Sequence, residues 1–95
     1  MTNVPELGRM KIMIIANDLY KNRSAISETI SSNKRSLRDA LSSSEIHALL
    51  KKTGIYIDLA HLKAVLREFG YNWNGVSCSF FDLFKSCQSF MYGAT

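Results

Sequence analysis

The side chains of this chain that could do chemistry are two histidines and two cysteines, at His47, His61, Cys78 and Cys87. Imidazoles and thiols act as general bases, nucleophiles and metal ligands. Both histidines lie in helical patterns beside apolar neighbours, and the cysteines are too far apart along one predicted helix to form a disulfide. Neither cysteine has a second thiol or imidazole at zinc spacing. We therefore expect no enzyme, no metal site and no cofactor, with reduced thiols in a cytoplasmic protein.

The composition indicates one small helical domain. The 95 residues are 46% apolar and include five Phe, four Tyr and one Trp, which is enough for a single core. One proline and five glycines leave few turns, so helices are favoured over short strands. The apolar run at 12–16 is too short for a signal sequence or a membrane span. We expect one domain over residues 1–95 that does not enter a membrane.

The formal net charge is +4, and three basic residues cluster at Lys34, Arg35 and Arg38. A modest positive excess is compatible with an acidic partner, such as RNA or an acidic protein tail. Clusters of this size are more often a solvated surface, and that is the interpretation we prefer.

Apolar spacing predicts a long N-terminal helix over 5–32, or two helices that meet at 22–24. Its main stripe has a helical period, and the first turns carry a second stripe made of Leu7, Met10 and Ile14. A helix that is apolar on two faces should pack against more than its own loop.

Three further helices are predicted after a loop at 33–41. Ser42 and Glu45 form a capping box, and the helix that follows ends at Gly54. Asp58 caps a helix that ends at Gly70, and the last helix covers 79–91.

The order of helix, loop with one central aliphatic residue, helix and short link, repeated once, resembles the EF-hand superfamily over residues 20–92. In that family the aliphatic residues at loop position 8 form a short antiparallel bridge, and Leu41 and Val76 are the matching residues. Each is followed by a serine that begins a helix. The resemblance implies an all-α, EF-hand-like pair of helix-loop-helix units with an extended N-terminal helix. Its parts are an N-terminal helical extension at 5–19, a first degenerate hand at 20–54 and a second at 55–92.

The first loop lacks the calcium chemistry of that family. An EF-hand binds calcium through oxygens at loop positions 1, 3, 5, 7, 9 and 12, with glycine at 6. With Leu41 at position 8, Lys34 and Arg38 occupy positions 1 and 5, and only Glu45 remains at position 12. Two cations would repel a dication, so we expect no calcium there.

The second loop retains part of the ligand pattern at Asn72, Asn74 and Gly75. With Val76 at position 8 the loop is one residue short, and Phe80 occupies the place of the bidentate glutamate. An Asn-Gly tight turn is the interpretation we prefer, and weak calcium binding by this loop is an alternative.

Degenerate hands of this kind usually serve as structural or protein-binding modules. The resemblance therefore implies a non-catalytic, calcium-independent module that binds a partner helix or assembly, and family analogy extends this to the cytoskeleton and to axonemal microtubules of cilia or flagella. Either a partner helix or the chain's own N-terminal helix could fill the apolar groove. The predicted partner-binding residues are apolar side chains of the last and first helices, namely Phe80, Phe81, Phe84, Phe90, Met91, Tyr92, Ile15 and Leu19.

A helix-turn-helix nucleic-acid-binding protein is the other alternative. The helices at 45–53 and 59–69 are joined by a turn that contains glycine, and the second would present His61, Lys63 and Arg67 to a groove. That helix lacks the density of Asn, Gln and Arg that reads bases, so we rank this function lower.

Overall fold

The computed structural model describes residues 7–71 and 78–93, and within these ranges the chain forms five α-helices. The predicted all-helical class is confirmed for this part of the chain. No helix within it is long and apolar enough to span a membrane. The helices are α1 (Arg9–Lys21), α2 (Arg23–Ser32), α3 (Ser43–Lys52), α4 (Leu59–Glu68) and α5 (Phe80–Tyr92).

The predicted N-terminal helix is interrupted at Asn22, inside the interval that the sequence indicated. The Asn22 side-chain amide donates a hydrogen bond to the Asp18 carbonyl at 2.7 Å, and the Arg23 guanidinium donates to the Tyr20 carbonyl at 2.8 Å. Side chains that bond to the carbonyls of the last turn compete with the continuing helix, so α1 ends and α2 begins here. Pro5, the predicted start of this helix, lies outside the described residues.

The predicted caps of α3 and α4 are confirmed. The Ser42 hydroxyl accepts a hydrogen bond from the Glu45 N–H at 3.2 Å, while the Glu45 carboxylate accepts from the Ser42 N–H at 3.1 Å. Asp58 accepts from the Ala60 N–H at 3.1 Å. The cap of α5 is Ser79, which accepts from the Asp82 N–H, also at 3.1 Å.

The helices α2, α3 and α4 end in the same way, with a left-handed residue after the last turn. Gly54 and Gly70 have φ values of +91° and +95°, as the sequence predicted for these two glycines. Lys34 takes the equivalent place after α2 with φ 58°, a conformation that a non-glycine residue adopts at a cost. In each case the next residue donates its N–H to a carbonyl five residues back, at 2.9 Å.

An isolated antiparallel bridge joins Leu41 to Cys78. The sequence prediction named Val76 as the partner of Leu41, and this partner is wrong, since both bridge hydrogen bonds of Leu41 go to Cys78. Val76 itself lies outside the described residues. The observed bridging residue is two positions later in the sequence than the predicted one.

All five helices contribute to one core, in which α1 packs most extensively against α5. The N-terminal helix thus packs along the last helix, and the filling of an EF-hand groove by this helix stays a prediction. The largest fully buried side chains are Leu19, Ile26, Ile30, Leu41, Ile46, Leu50, Leu62, Val65, Phe80, Leu83 and Cys87.

Candidate protein-binding surface

Helix α1 has two apolar faces, and only one of them is in the core. Ile12, Ile15 and Leu19 are buried. Met10 and Ile14 belong to the second stripe and are 75% and 61% exposed. Residues at this spacing lie one turn apart on the same side of the helix. The second stripe is therefore an apolar surface that the fold leaves in contact with water.

This stripe borders a groove between α1 and the end of α5, which we call the α1–α5 groove. Its volume is about 280 Å³. Three of the four methionines of the chain line it. The unbranched, polarizable thioether of methionine adapts to differently shaped apolar partners. The lining residues are Met10, Met13, Ile14, Asn17, Met91 and Tyr92.

Aromatic contacts hold one end of the groove. Tyr92 is 70% exposed, and its ring meets the edge of Tyr20 with 6.5 Å between centroids. The guanidinium carbon of Arg23 lies 4.1 Å from the centre of the Tyr20 ring. These contacts position Tyr92 as a wall of the groove and leave most of its surface exposed.

The charges of helix α1 are mainly positive, although the Arg9 guanidinium lies outside the groove, 4.8 Å from the centre of the Phe90 ring. Helix α1 carries Arg9, Lys11 and Lys21 and a single acid, Asp18. Lys21 follows Asn17 by one helical turn and so extends the exposed stripe with a cation. The electrostatics of this surface favour an acidic partner.

The structure separates the predicted partner-binding residues into three groups. Ile15, Leu19 and Phe80 are buried in the core, so they provide no surface for a partner. Met91 and Tyr92 line the α1–α5 groove.

Of the remaining three, Phe84 and Phe90 are partly buried against other rings. The Phe84 ring lies 5.8 Å from that of Phe80, and the Phe90 ring lies 5.7 Å from that of Phe69. Phe81 is 37% exposed but lines a different pocket. The aromatic residues of α5 therefore do not form one continuous binding face.

Sequence reasoning did not include Met10, Met13 and Ile14 among the binding residues. Met10 and Ile14 were visible as a second stripe, and the prediction that this helix packs beyond its own loop was the signal. The sequence did not show where α5 lies. The last turn of α5 forms the other side of the groove that the stripe borders.

The two thiols are buried and chemically quiet. Burial raises the pKa of Cys78 to about 11 and the pKa of Cys87 to about 12. The Cys78 thiol donates to the Ser79 carbonyl at 3.3 Å. A thiol protonated at neutral pH is a poor nucleophile and a poor metal ligand.

The described residues contain no group of three or more His, Cys, Asp or Glu side chains placed to hold a metal ion. Asn72, Asn74 and Gly75, the residues of the alternative calcium site, lie outside them. The first loop lies within them, and there Asp39 accepts a hydrogen bond from the Ser36 N–H at 3.0 Å.

The residues of the helix-turn-helix alternative lie on α4. His61 and Lys63 are half-buried, and Arg67 is exposed. A ring nitrogen of His47 on α3 lies 2.8 Å from the Ile57 carbonyl in the link between the two helices, which fixes this turn. Nucleic-acid binding by this pair stays a prediction.

Comparison of the chain with protein-family models, with curated proteins and with solved structures finds no match. The function must therefore be argued from the surfaces of the chain itself.

Proposed function

We propose that this chain is a non-catalytic protein-interaction domain that binds an amphipathic helix of a partner protein in the α1–α5 groove. The observation that carries the proposal is the exposed stripe of Met10 and Ile14, which continues across the groove into Met91 and Tyr92. Large apolar side chains grouped on a surface are costly in water and commonly mark an interaction site.

The shape and charge of the groove indicate its occupant. A helix binds in such a groove through apolar side chains spaced three and four residues apart. Lys21, which extends the exposed stripe of α1, favours acidic residues on the flanks of that helix. The five apolar residues of the groove are far fewer than the roughly 20–30 residues that each side contributes to a stable interface. A single helix therefore suits the groove better than a second copy of the whole domain.

The same proposal includes an EF-hand-like, calcium-independent fold. It is supported by the antiparallel bridge between Leu41 and Cys78, each of which directly precedes a serine-capped helix. The matching left-handed ends of the two preceding helices, at Lys34 and Gly70, give further support. A helix within a cytoskeletal or axonemal assembly is the partner that the resemblance implies.

The test uses the methionine methyl groups as reporters. The protein is labelled with ¹³C at the methionine methyls and titrated with an amphipathic peptide that carries Leu on one face and Glu on its flanks. We expect the signals of Met10, Met13 and Met91 to shift together. A peptide of the same apolar pattern with Lys flanks should bind more weakly, because its charge matches that of α1.

Two variants make this test specific to the groove. Ile14→Glu puts a charge into the groove and should abolish the shifts. Tyr56→Glu changes a side chain that is 79% exposed elsewhere on the surface, and it should bind as the wild type does. Equal binding by both variants would contradict the proposal.

A further inference from the structure

A second pocket lies on the basic first loop, away from the α1–α5 groove. Its volume is about 570 Å³, and an apolar floor of Ile30 and Leu37 lies beneath a polar rim. We call it the basic loop pocket. The other side chains that line it are Ser27, Ser31, Arg35, Ser36, Arg38 and Phe81.

Two cations lie against the Phe81 ring, and of these Arg38 lines this pocket while Lys85 lines a different one. The guanidinium carbon of Arg38 lies 4.4 Å from the centre of the Phe81 ring, and the Lys85 ammonium lies 5.5 Å from it. The Phe81 N–H donates to the Leu37 carbonyl at 3.0 Å, which fastens the loop to the first turn of α5. The Arg38 N–H donates to the Ser36 hydroxyl at 3.2 Å. The loop and the helix thus fix Arg38 in place, and little order has to be gained when a ligand binds.

The positive charge of this surface is only partly neutralised by the protein. Within residues 7–71 and 78–93, neither Arg38 nor Lys85 forms an ion pair with a carboxylate. Arg35 is paired with Glu45 at 3.3 Å, and both side chains are 45% exposed. Cations held around one ring repel each other, so an anion placed among them lowers the electrostatic energy.

We infer that the basic loop pocket binds a phosphorylated serine or threonine side chain of a partner protein. Arg35 and Arg38 supply the planar donor forks that match phosphate oxygens. The hydroxyls of Ser31 and Ser36 also line the pocket and are further donors.

The form of the site favours a single phosphorylated side chain over a membrane or a nucleic acid. Arg35 and Arg38 line one concave pocket, whereas a nucleic-acid surface tracks a row of phosphates. Phe81 lies beneath Arg38 and Lys85, so it is not an apolar anchor for insertion into lipid.

The experiment titrates the full chain with a short peptide that carries one phosphoserine and, in parallel, with its unphosphorylated form. Backbone amides and arginine side-chain N–H groups are followed by NMR. The phosphopeptide should shift the signals of Arg35 and Arg38, and the unphosphorylated peptide should not. Binding should weaken as the pH falls through about 6, where phosphate loses its second charge.

Arg38→Gln and Arg23→Gln form a matched pair, since each removes one charge from an arginine that stacks on an aromatic ring. Arg38→Gln should lower the affinity for the phosphopeptide at least about tenfold, which is the effect of losing one charged hydrogen bond. Arg23→Gln should leave this affinity unchanged. Lys85→Gln, which leaves the loop unchanged, should also lower the affinity.

Three results would overturn the inference. One is equal loss of affinity in the Arg38 and Arg23 variants, which would show a nonspecific charge effect. Another is the absence of shifts at Arg35 and Arg38 with phosphopeptide. The third is binding of duplex DNA or of vesicles with phosphoinositide in preference to the phosphopeptide. The Ile14→Glu variant separates this inference from the proposed function. It alters the α1–α5 groove and should leave phosphopeptide binding unchanged.

Discussion

Leu41 and Cys78 exchange two backbone hydrogen bonds and join the two loops of the domain. The Leu41 N–H donates to the Cys78 carbonyl at 3.2 Å, and the Cys78 N–H donates to the Leu41 carbonyl at 2.9 Å. Both side chains are buried in the core. Because Ser42 and Ser79 directly follow and cap α3 and α5, this bridge fixes where the two helices begin relative to each other.

Leu41→Asp should unfold the domain. The substitution removes a fully buried side chain and places a charge in the core without a partner. We expect a loss of about 4 kcal/mol or more, against a total stability of about 5–15 kcal/mol for a domain of ordinary stability. Chemical denaturation followed by circular dichroism measures this loss. Ala40→Asp, at the exposed neighbouring position, is the control and should change stability by less than about 0.5 kcal/mol.

Ile14 and Ile15 are neighbours in sequence with opposite environments, so the same substitution should have different effects. Ile15→Ala should destabilise the domain by about 2–4 kcal/mol, because Ile15 is buried. Ile14→Ala should change stability by less than about 0.5 kcal/mol, because its side chain is in water. Urea denaturation of both variants checks this, and similar losses in both would contradict the two-faced α1.

The capping box of α3 should depend on pH. Hydrogen bonding to Ser42, together with the charge of Arg35, lowers the pKa of Glu45. A carboxyl group with a lowered pKa stabilises the folded state above its unfolded pKa, and this contribution is lost as the pH falls through the folded pKa. Glu45→Gln should therefore be less stable than the wild type at pH 7, and this difference should shrink in acid.

Ser42→Ala tests the other half of the same box and should cost about 1 kcal/mol at pH 7. Glu28→Gln, at an exposed acid of α2, is the control for loss of a negative charge. Thermal melts at pH 7 and pH 3 measure these differences. A Glu45→Gln effect that is constant across this range would contradict the role of the ionised carboxylate.

Cys78 and Cys87 should resist alkylation in the folded protein. With a pKa of about 11, Cys78 is a thiolate in about one molecule in 1,000 at pH 8. Both thiols should react with iodoacetamide only after denaturation, whereas a cysteine placed at the exposed Ser44 should react at once. Rapid labelling of the native wild type would show that the core is open.

The same raised pKa values predict loss of stability in alkali. The folded state retains the thiol protons more tightly than the unfolded state, whose thiols have a pKa of about 9. The stabilising contribution is complete below pH 9 and is lost as the pH rises towards 11 and 12. Replacing Cys87 with Ala should reduce this alkaline dependence.

Calcium should leave the domain unchanged. Lys34 and Arg38 stand in the first loop where the resembling family has ligands, and they repel a dication. Amide NMR spectra with millimolar calcium and with a chelator should superimpose. Shifts confined to 70–77 would assign calcium to the second loop, and shifts throughout the domain would contradict a calcium-independent fold.

The local elements could be read from the sequence because short-range interactions determine them. Each of these elements involves residues within five positions of each other. They are the capping box at Ser42, the cap at Asp58 and the glycine ends of α3 and α4. The break near Asn22 has the same origin, since it depends on a side chain one turn from its acceptor. Such interactions operate in nearly the same way in any tertiary context.

The bridge partner and the binding surface could not be read in this way. Leu41 meets Cys78, two positions after the predicted partner, and a shift of this kind changes no helical pattern in the sequence. The residues of the proposed binding surface could not be read either, because the groove forms only where α5 packs beside α1.

The helices, the caps of α3 and α4 and the two apolar stripes near the start of the chain follow from the order of residues alone. Which stripe is buried follows from the packing of the helices, because a stripe is equally apolar whether it faces the core or water. That choice depends on α5, which covers Ile12, Ile15 and Leu19 and leaves Met10 and Ile14 exposed. The physical reason is that helix formation is a local property, whereas burial depends on which surfaces distant segments bring together.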